Sequence, residues 1–233
     1  MAPPTPAASA ADGRDSTLDL DAADEPLVSR FDESMAEAAE RAGSLYGCGP
    51  GRSRCCRGPF PINLLDARRL RRGMIALASR DPGRAAAVRR RAAKVVRRFW
   101  KEFPGDPRTG VFTGDEEAKR RFCGSHGALM CPALDGATGR CNVYEWRPLA
   151  CRAMGPPVRL RGVDLAPCPY CFGPASAEDV ARCRAVPDSE SRETLLLAEV
   201  EARLGRSGET LIAFALIQDV ERPAESRAEG LPD

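Results

Sequence analysis

The middle of this chain combines frequent turn-forming residues with cysteines, and this combination limits what the chain can fold into. Prolines and glycines recur every few positions over residues 124–173, and only short pieces such as "CNVYEW" and "VRLRGVDL" are expected to be extended. A segment of this composition forms few long helices or strands. We therefore expect a cross-link or a bound metal to hold this region rigid.

The cysteines favour a metal over a disulfide. The chain has ten cysteines in 233 residues, which is well below the density of a disulfide scaffold. Residues 1–26 contain neither a basic start nor an apolar run, so we expect no secretory signal, and no later segment is apolar enough for a membrane span. The expected location is a reducing cytoplasm without a membrane partner, where clustered cysteines more often bind metals or act as catalytic thiols.

The segments on either side of the cysteine-rich region carry the apolar periodicity of helices. Asp81 and Pro82 form a cap followed by proline at the first helical position, and Thr113 with Glu116 fits a capping box for a short helix that ends by Cys123. The inward stripe of the third helix is expected to be Ala85, Val88, Ala92, Val95 and Phe99. The other predicted helices span 27–46, 62–79, 85–103, 176–186 and 188 or 189 to 204.

These elements predict a mainly α fold with a cysteine-rich loop and short-strand region, in which helices pack around a metal-stabilised irregular core. The buried segment "TLIAFALIQDV" fits either a short helix or a strand. We expect one domain over residues 27–221, with basic helices at 62–103, between disordered tails at 1–26 and 222–233.

The candidate metal ligands lie among glycines, prolines and arginines, which is an unusual setting for thiols that only fill a core. The pair in "CPYC" can direct two thiolates at one ion from one turn, as in structural zinc sites and some iron–sulfur clusters. One centre or two are compatible with the spacing, and either member of the adjacent pair could be the ligand. The predicted ligands are Cys48, Cys55, Cys56, Cys131, Cys141, Cys151, Cys168 and Cys171.

Thiolates around a metal leave negative charge that needs compensation. Arg147 and Arg152 are expected to donate N–H groups to the sulfurs or to neutralise them, and Tyr144 and Trp146 either exclude water from the site or are ordinary core aromatics. Arg52, Arg54, Arg57 and Arg140 are further neighbouring cations. We expect Cys123 and Cys183 to be buried, and His126 to lie at the surface or form a hydrogen bond rather than bind metal.

The block "CPALDGATGRCNVYEWRPLACRAMG", from Cys131 to Gly155, resembles the YkgJ-type cysteine cluster family. The family also has a Cys-Cys pair, but its members tend to have two cysteines just upstream, whereas this chain has only Cys48 there. The resemblance implies a domain that chelates zinc or iron, with "CPYC" as the natural source of the missing ligand. One relative, the flagellin lysine N-methylase, is an enzyme with a similar cluster, so a cluster-dependent protein-modifying enzyme is an alternative. The chain has no Gly-rich nucleotide fingerprint.

Basic residues dominate the second and third predicted helices. They could form a phosphate-binding face, so a metal-stabilised nucleic-acid-binding module is a further alternative. A charged face opposite an apolar stripe is, however, the ordinary solvated side of a helix, so nucleic acid is a less favoured partner than a protein. The residues are Arg68, Arg69, Arg71, Arg72, Arg89, Arg90, Arg91, Lys94, Arg97, Arg98 and Lys101.

Overall fold

The computed structural model of the chain describes residues 18–49 and 51–218. Residues 1–17 of the predicted N-terminal tail and the predicted tail at 222–233 lie outside this range. The helices are α1 Leu20–Ala42, α2 Leu64–Arg80, α3 Pro82–Phe99, α4 Glu116–Ser125, α5 Leu149–Arg152, α6 Pro169–Phe172, α7 Ala177–Arg182, α8 Arg192–Leu204 and α9 Ile212–Ala215. The strands are β1 Pro61–Asn63, β2 Gly105–Asp106, β3 Val111–Phe112, β4 Val158–Leu160, β5 Val163–Leu165 and β6 Glu209–Leu211.

The described part of the chain is mainly helical, as predicted, with a small antiparallel sheet of strand order β1-β6-β3-β2. The segment "TLIAFALIQDV", which fitted helix or strand, contains both: β6 pairs with β1 and β3, and α9 follows at once. Within residues 18–49 and 51–218, no helix has the length and apolar character needed to cross a membrane.

Helix α1 starts seven residues before its predicted start, so the prediction of a disordered tail is wrong for residues 20–26. The Asp19 side chain caps the helix by accepting hydrogen bonds from the N–H groups of Asp21 and Ala22. Leu20 is buried against other helices, and Asp24 is buried in an ion pair with Arg69 of α2. These tertiary contacts favour a helix where the local composition does not.

Helix α2 is the central helix, buried along most of its length and packed against α3, α8 and α9. The predicted break between α2 and α3 is confirmed, because the Asp81 side chain accepts a hydrogen bond from Arg84 N at 2.9 Å. The α3 stripe is confirmed except at Val95, which is half-buried, whereas its neighbour Val96 is fully buried.

Two local predictions are corrected. Helix α4 is capped by Asp115, which accepts from Ala118 N at 2.7 Å, rather than by Thr113. The "CNVYEW" segment is not a strand, because Tyr144–Trp146 form a 3₁₀ turn. The other extended prediction, "VRLRGVDL", is confirmed as the hairpin of β4 and β5.

A buried charge network joins α1, α2 and α5. Arg69 Nε lies 2.8 Å from Asp24 Oδ2, and its guanidinium also binds Asp66. Asp66 Oδ1 in turn accepts a hydrogen bond from Leu149 N at 2.8 Å, at the start of α5. The network therefore fixes the short helix that carries Cys151 to the centre of the fold.

Gly73 in α2 provides the space in which Trp146 packs. A Cβ atom at Gly73 would lie 2.5 Å from Cβ of Trp146. We expect Gly73→Ala to destabilise the protein by about 1–3 kcal/mol through overpacking, although Gly→Ala inside a helix ordinarily stabilises by up to about 1 kcal/mol. Urea unfolding measures the difference.

Gly124→Ala in α4 is the matched control, because an added Cβ there has no neighbour within 4 Å. Equal stabilities of the two variants would contradict the packing of Trp146 against α2.

Candidate metal centre

A cavity of about 830 Å³ lies between α1 and the cysteine-rich segments. Its walls include six of the eight predicted ligands, together with Tyr144, Arg147 and Arg152. Apolar side chains from α1 and α2, such as Met35 and Leu70, complete the lining. The six cysteines are Cys48, Cys55, Cys56, Cys131, Cys141 and Cys151.

Backbone hydrogen bonds bring three distant cysteine segments together at this cavity. Cys131 N donates to Cys56 O at 2.9 Å, next to a bridge between Arg57 and Met130. Leu134 pairs with Cys141 in a second antiparallel bridge. Isolated β-bridges, rather than a regular β-sheet, therefore connect the cysteine segments at the cavity.

Cys151 reaches the same cavity from α5. Pro148 immediately precedes this helix, and Leu149, its first residue, is fully buried. Cys131, Cys141 and Cys151 all pack against the core cluster formed by α2, α3 and α9. Three thiols from separate segments therefore pack against the same apolar core cluster.

Four of the thiols that line the cavity interact electrostatically. The pKa of Cys56 lies below its usual range because Cys55 donates a hydrogen bond to it, while burial and the charges of Cys131, Cys151 and Cys141 act in the opposite direction. Burial raises the pKa of Cys151 strongly, and charges on Cys131, Asp66 and Cys141 raise it further. Each of these sulfurs is harder to ionise when the others are charged, unless a cation lies between them.

Hydrogen-bond donors already point at the sulfurs. Burial raises the pKa of Cys131 to about 11, although the N–H groups of Ala133 and Leu134 bond to its sulfur and lower the value. Burial also raises the pKa of Cys141, and a hydrogen bond from the N–H group of Val143 lowers it. Backbone N–H donors of this kind stabilise metal-bound thiolates.

Arg91 of α3 is a site residue that the sequence analysis assigned only to the basic helices. Its Nε donates to Pro132 O at 3.0 Å, and its Nη2 is buried without a hydrogen-bond partner. Its charge also lowers the pKa of Cys131, although burial remains the larger effect. An unsatisfied buried cation beside a thiol fits a site in which that thiol is ionised.

The three residues predicted to support a cofactor differ in their roles. Arg147 stacks 3.5 Å from the ring centre of Tyr144, and its charge opposes the burial that raises the pKa of Cys141 and of Cys151. Arg152 donates instead to oxygen atoms, namely Arg147 O, Glu145 O and the Asp32 carboxylate of α1. The predicted donation from Arg152 to sulfur is therefore replaced by a positioning role.

The two aromatic residues also have different roles. Tyr144 lines the cavity but is 45% exposed, so it covers the site only in part. Trp146 packs behind the site, against the core cluster and beneath Arg72, whose guanidinium lies 4.8 Å from its ring. For Trp146 the simpler interpretation, a core aromatic, is correct.

The "CPYC" cysteines do not join this group. Cys168 packs in a separate cluster with Cys48, while Cys171 and Cys183 are buried there. The prediction that "CPYC" supplies a ligand to the block around Cys131 stays a prediction, because these two cysteines pack in a different cluster and do not line the cavity. Burial of Cys183 is confirmed, whereas Cys123 is half-buried beside the aromatic cluster of α3, α4 and α9.

His126 is buried, and it has a hydrogen-bonding partner, which is one of its two predicted environments. Its Nε2 is 3.2 Å from Glu102 Oε2, and its ring packs 4.8 Å from the ring of Phe99. All ten cysteines are thiols. Within the two described ranges, no group of three or more His, Cys, Asp or Glu side chains has an arrangement that could hold a metal ion as it stands.

The basic residues of α2 and α3 are divided between the interior and the surface. Arg69 is buried, so it cannot belong to the alternative phosphate-binding face. Arg68 and Arg72 form ion pairs with Asp21 of α1 at 2.8 Å and 3.2 Å, which leaves α2 with fewer cations available to a phosphate. The exposed basic side chains are Arg89, Arg90, Lys94, Arg97, Arg98 and Lys101.

Comparisons with protein-family models, with curated proteins and with solved structures find no match to this chain. The resemblance to the YkgJ-type family therefore stays a prediction.

Proposed function

We propose that this chain binds a metal centre, either an iron–sulfur cluster or zinc, through Cys56, Cys131, Cys141 and Cys151. The observation that carries the proposal is the meeting of these four thiols, from three separate segments, at one cavity. Four thiolates complete the coordination of a zinc ion or of a [4Fe–4S] cluster.

The choice of Cys56 over Cys55 follows from the hydrogen bond between them. Cys55 acts as the donor, so this bond, together with burial, raises its pKa, whereas the same bond lowers the pKa of Cys56. Cys56 also shares a backbone hydrogen bond with Cys131. Adjacent side chains diverge, so one member of the pair faces the other three thiols and its neighbour supports it.

The surroundings suit the charge of such a centre. Four thiolates with Zn²⁺ or with an oxidised [4Fe–4S] core carry a net charge of about −2, which needs cations and N–H donors when buried. Arg91 and Arg147 are the cations whose charge acts on these thiols. The N–H groups of Ala133, Leu134 and Val143 are the donors.

Metal binding requires the sulfurs to turn toward one point, because no three of the described ligand side chains converge as they stand. A cysteine side chain has a single torsion that moves its sulfur, and we propose that rotation about this torsion brings the sulfurs together. The cavity of about 830 Å³ has room for a cluster as well as for a single ion. When bound, zinc would cross-link the loops, and an iron–sulfur cluster would in addition transfer electrons.

The adjacent pair provides a sharp test. After anaerobic purification, we expect Cys56→Ser to lose the metal of this centre and Cys55→Ser to retain most of it, because only one of the two thiols faces the others. Metal analysis, acid-labile sulfide and the visible spectrum measure the loss. A brown protein with sulfide identifies a cluster, and a colourless protein with zinc identifies a zinc site.

Cys123→Ser controls for the general effect of removing a half-buried thiol. The proposal fails if the wild-type protein, reconstituted with iron and sulfide or with zinc, binds no more metal than a variant lacking both Cys131 and Cys141.

A further inference from the structure

A second group of cysteines lies outside the proposed centre. Cys171 and Cys183 are buried in a small core cluster, and Cys48 and Cys168 pack against it. The cluster brings together the end of α1, the "CPYC" turn of α6 and the end of α7. Four thiols from three segments thus meet at a second place in the fold.

The local geometry of this group is that of a metal-binding turn. Cys168 caps α6, and Cys171 N donates to Cys168 O at 3.0 Å, which places both side chains on one tight turn. Burial raises the pKa of Cys171 to about 11, although the Gly47 N–H group bonds to its sulfur and lowers the value. Cys48 and Cys168 pack against the same small cluster in which Cys171 is buried.

Tyr46 adjoins both groups of thiols. It packs against the cluster of Cys171 and Cys183, and it also lines the cavity of the first group. Burial raises the pKa of Tyr46, and the charges of Cys48 and Cys171 add to this effect.

The segment around α6 has little apolar burial of its own. Val163 is 59% exposed, and Tyr170 is 66% exposed. Most residues from 159 to 170 are exposed or half-buried. A segment that buries so little apolar surface gains the most from a metal cross-link.

Cations and backbone contacts are also present at this group. Arg182 Nη1 donates to Arg41 O at 2.7 Å, and Arg41 Nη2 donates to Arg184 O at 3.2 Å, which joins the end of α1 to the segment that carries Cys183. A centre with four thiolates has a net negative charge, and these arginines lie next to it in the chain.

We infer that Cys48, Cys168, Cys171 and Cys183 form a second metal centre, which binds one zinc ion and joins α1 to the α6–α7 segment. Zinc fits because the four cysteines lie among apolar side chains such as Ala42 and Phe172, and structural zinc sites are closed to solvent ligands. A tetrahedral ion needs only four sulfurs at about 2.3 Å. Binding replaces the four thiol protons with one Zn²⁺ and releases them to water, without a redox step.

Cobalt titration of the reduced protein tests this inference separately from the proposed function. Co²⁺ in a tetrahedral thiolate site gives strong visible absorption bands. The titration is done on a variant that lacks Cys131 and Cys141, because this variant cannot form the first centre. We expect this variant still to bind about one equivalent of Co²⁺, displaced by Zn²⁺, and we expect Cys171→Ser or Cys183→Ser in the same background to abolish the bands.

The outcomes are distinct for the two centres. If the variant without Cys131 and Cys141 gives no cobalt bands while the wild-type protein does, the second centre is refuted and the first is supported. If the wild-type protein binds cobalt only through Cys171 and Cys183, and also takes up no more iron with sulfide than the variant without Cys131 and Cys141, the proposed function fails and this inference holds. Retention of the bands in both serine variants also refutes the inference.

Thiol alkylation of the wild-type protein provides a test that does not depend on the folding of any variant. With zinc bound, we expect the four cysteines of the second group to be protected from iodoacetamide and to react at least tenfold faster after a chelator is added, whereas Cys123 reacts at the same rate in both conditions. Mass spectrometry identifies the modified residues. Equal rates before and after chelation, or a disulfide between Cys168 and Cys171, would overturn the inference.

Discussion

Cys151→Ala is expected to abolish metal binding at the proposed centre and to remove most of the stability of the cysteine-rich loops. Loss of a small buried side chain by itself costs about 1 kcal/mol, whereas loss of a structural metal costs on the order of 10 kcal/mol in small domains. The metal would be the main cross-link of these loops, because their regular structure within 126–157 is limited to single bridges, a 3₁₀ turn and the four-residue α5. The loops are therefore expected to open while α2 and α3 remain packed.

Hydrogen exchange with mass spectrometry measures this local effect. We expect the amides of residues 131–151 to lose protection in Cys151→Ala and in the chelated wild-type protein, while the amides of α2 and α3 stay protected. Cys123→Ala is the control, since it removes a half-buried thiol away from the cavity. Unchanged protection of residues 131–151 after complete chelation would show that the loops do not depend on a metal.

Arg69→Met is expected to destabilise the whole helical core by about 3–5 kcal/mol at neutral pH. The substitution leaves the carboxylates of Asp24 and Asp66 buried without their cation, and removal of one partner from a buried ion pair has a cost of this size. Because Asp66 also accepts from Leu149 N, the variant is further expected to weaken metal binding through Cys151. Urea unfolding and metal content are the two measurements.

The effect should depend on pH. Burial raises the pKa of Asp66, and the charge of Arg69 opposes that increase. Without Arg69 the folded-state pKa rises further above the unfolded value, so the carboxyl contributes stability at low pH that is lost as the pH rises through the folded-state pKa. The difference between Arg69→Met and wild type should therefore be smallest in acid and grow toward neutral pH.

Two variants complete the test of the charge network. Arg84→Met removes an exposed ion pair with Asp81 and is expected to change stability by less than about 1 kcal/mol. Replacing Asp24 and Asp66 with asparagine in the Arg69→Met background should recover part of the lost stability, because no buried charge is then uncompensated. A pH-independent loss, unrelieved by the asparagines, would contradict this account of Arg69.

Much of the helical structure was predictable because its signals are local. Asp81 with Pro82 marked the break between α2 and α3, and Ser176 with Asp179 forms the capping box of α7. Residues 20–26 were missed because their acidic residues and proline resemble a tail, while the contacts that order them, such as Asp24 with Arg69, come from 45 residues away. The apolar periodicity of a segment does not predict an ion pair with a residue so far away in the sequence.

The sequence identified the cysteines as candidate ligands, but it carried no information on which of them lie together. Cysteines among glycines, prolines and arginines indicated metal ligands, yet their distribution between the cavity and the second cluster depends on tertiary contacts. Cys183 ends a regular helix, and Arg91 has the spacing of a solvated helix face, so neither carried a local signal of a site. Only the packing of α3 against the loop at Pro132 brings Arg91 to Cys131.

The backbone hydrogen bond from Cys131 to Cys56 joins residues that are 75 positions apart, a separation that implies an order of assembly. Contacts between α2 and α3 are local in sequence and form quickly, whereas this closure has to wait until the helical pair provides a surface for both loops. A newly made chain would thus pass through a stage with formed helices and accessible sulfhydryls. If the proposed centre forms, the supply of metal at that stage, rather than the rate of helix formation, would determine whether the thiols bind metal or are oxidised.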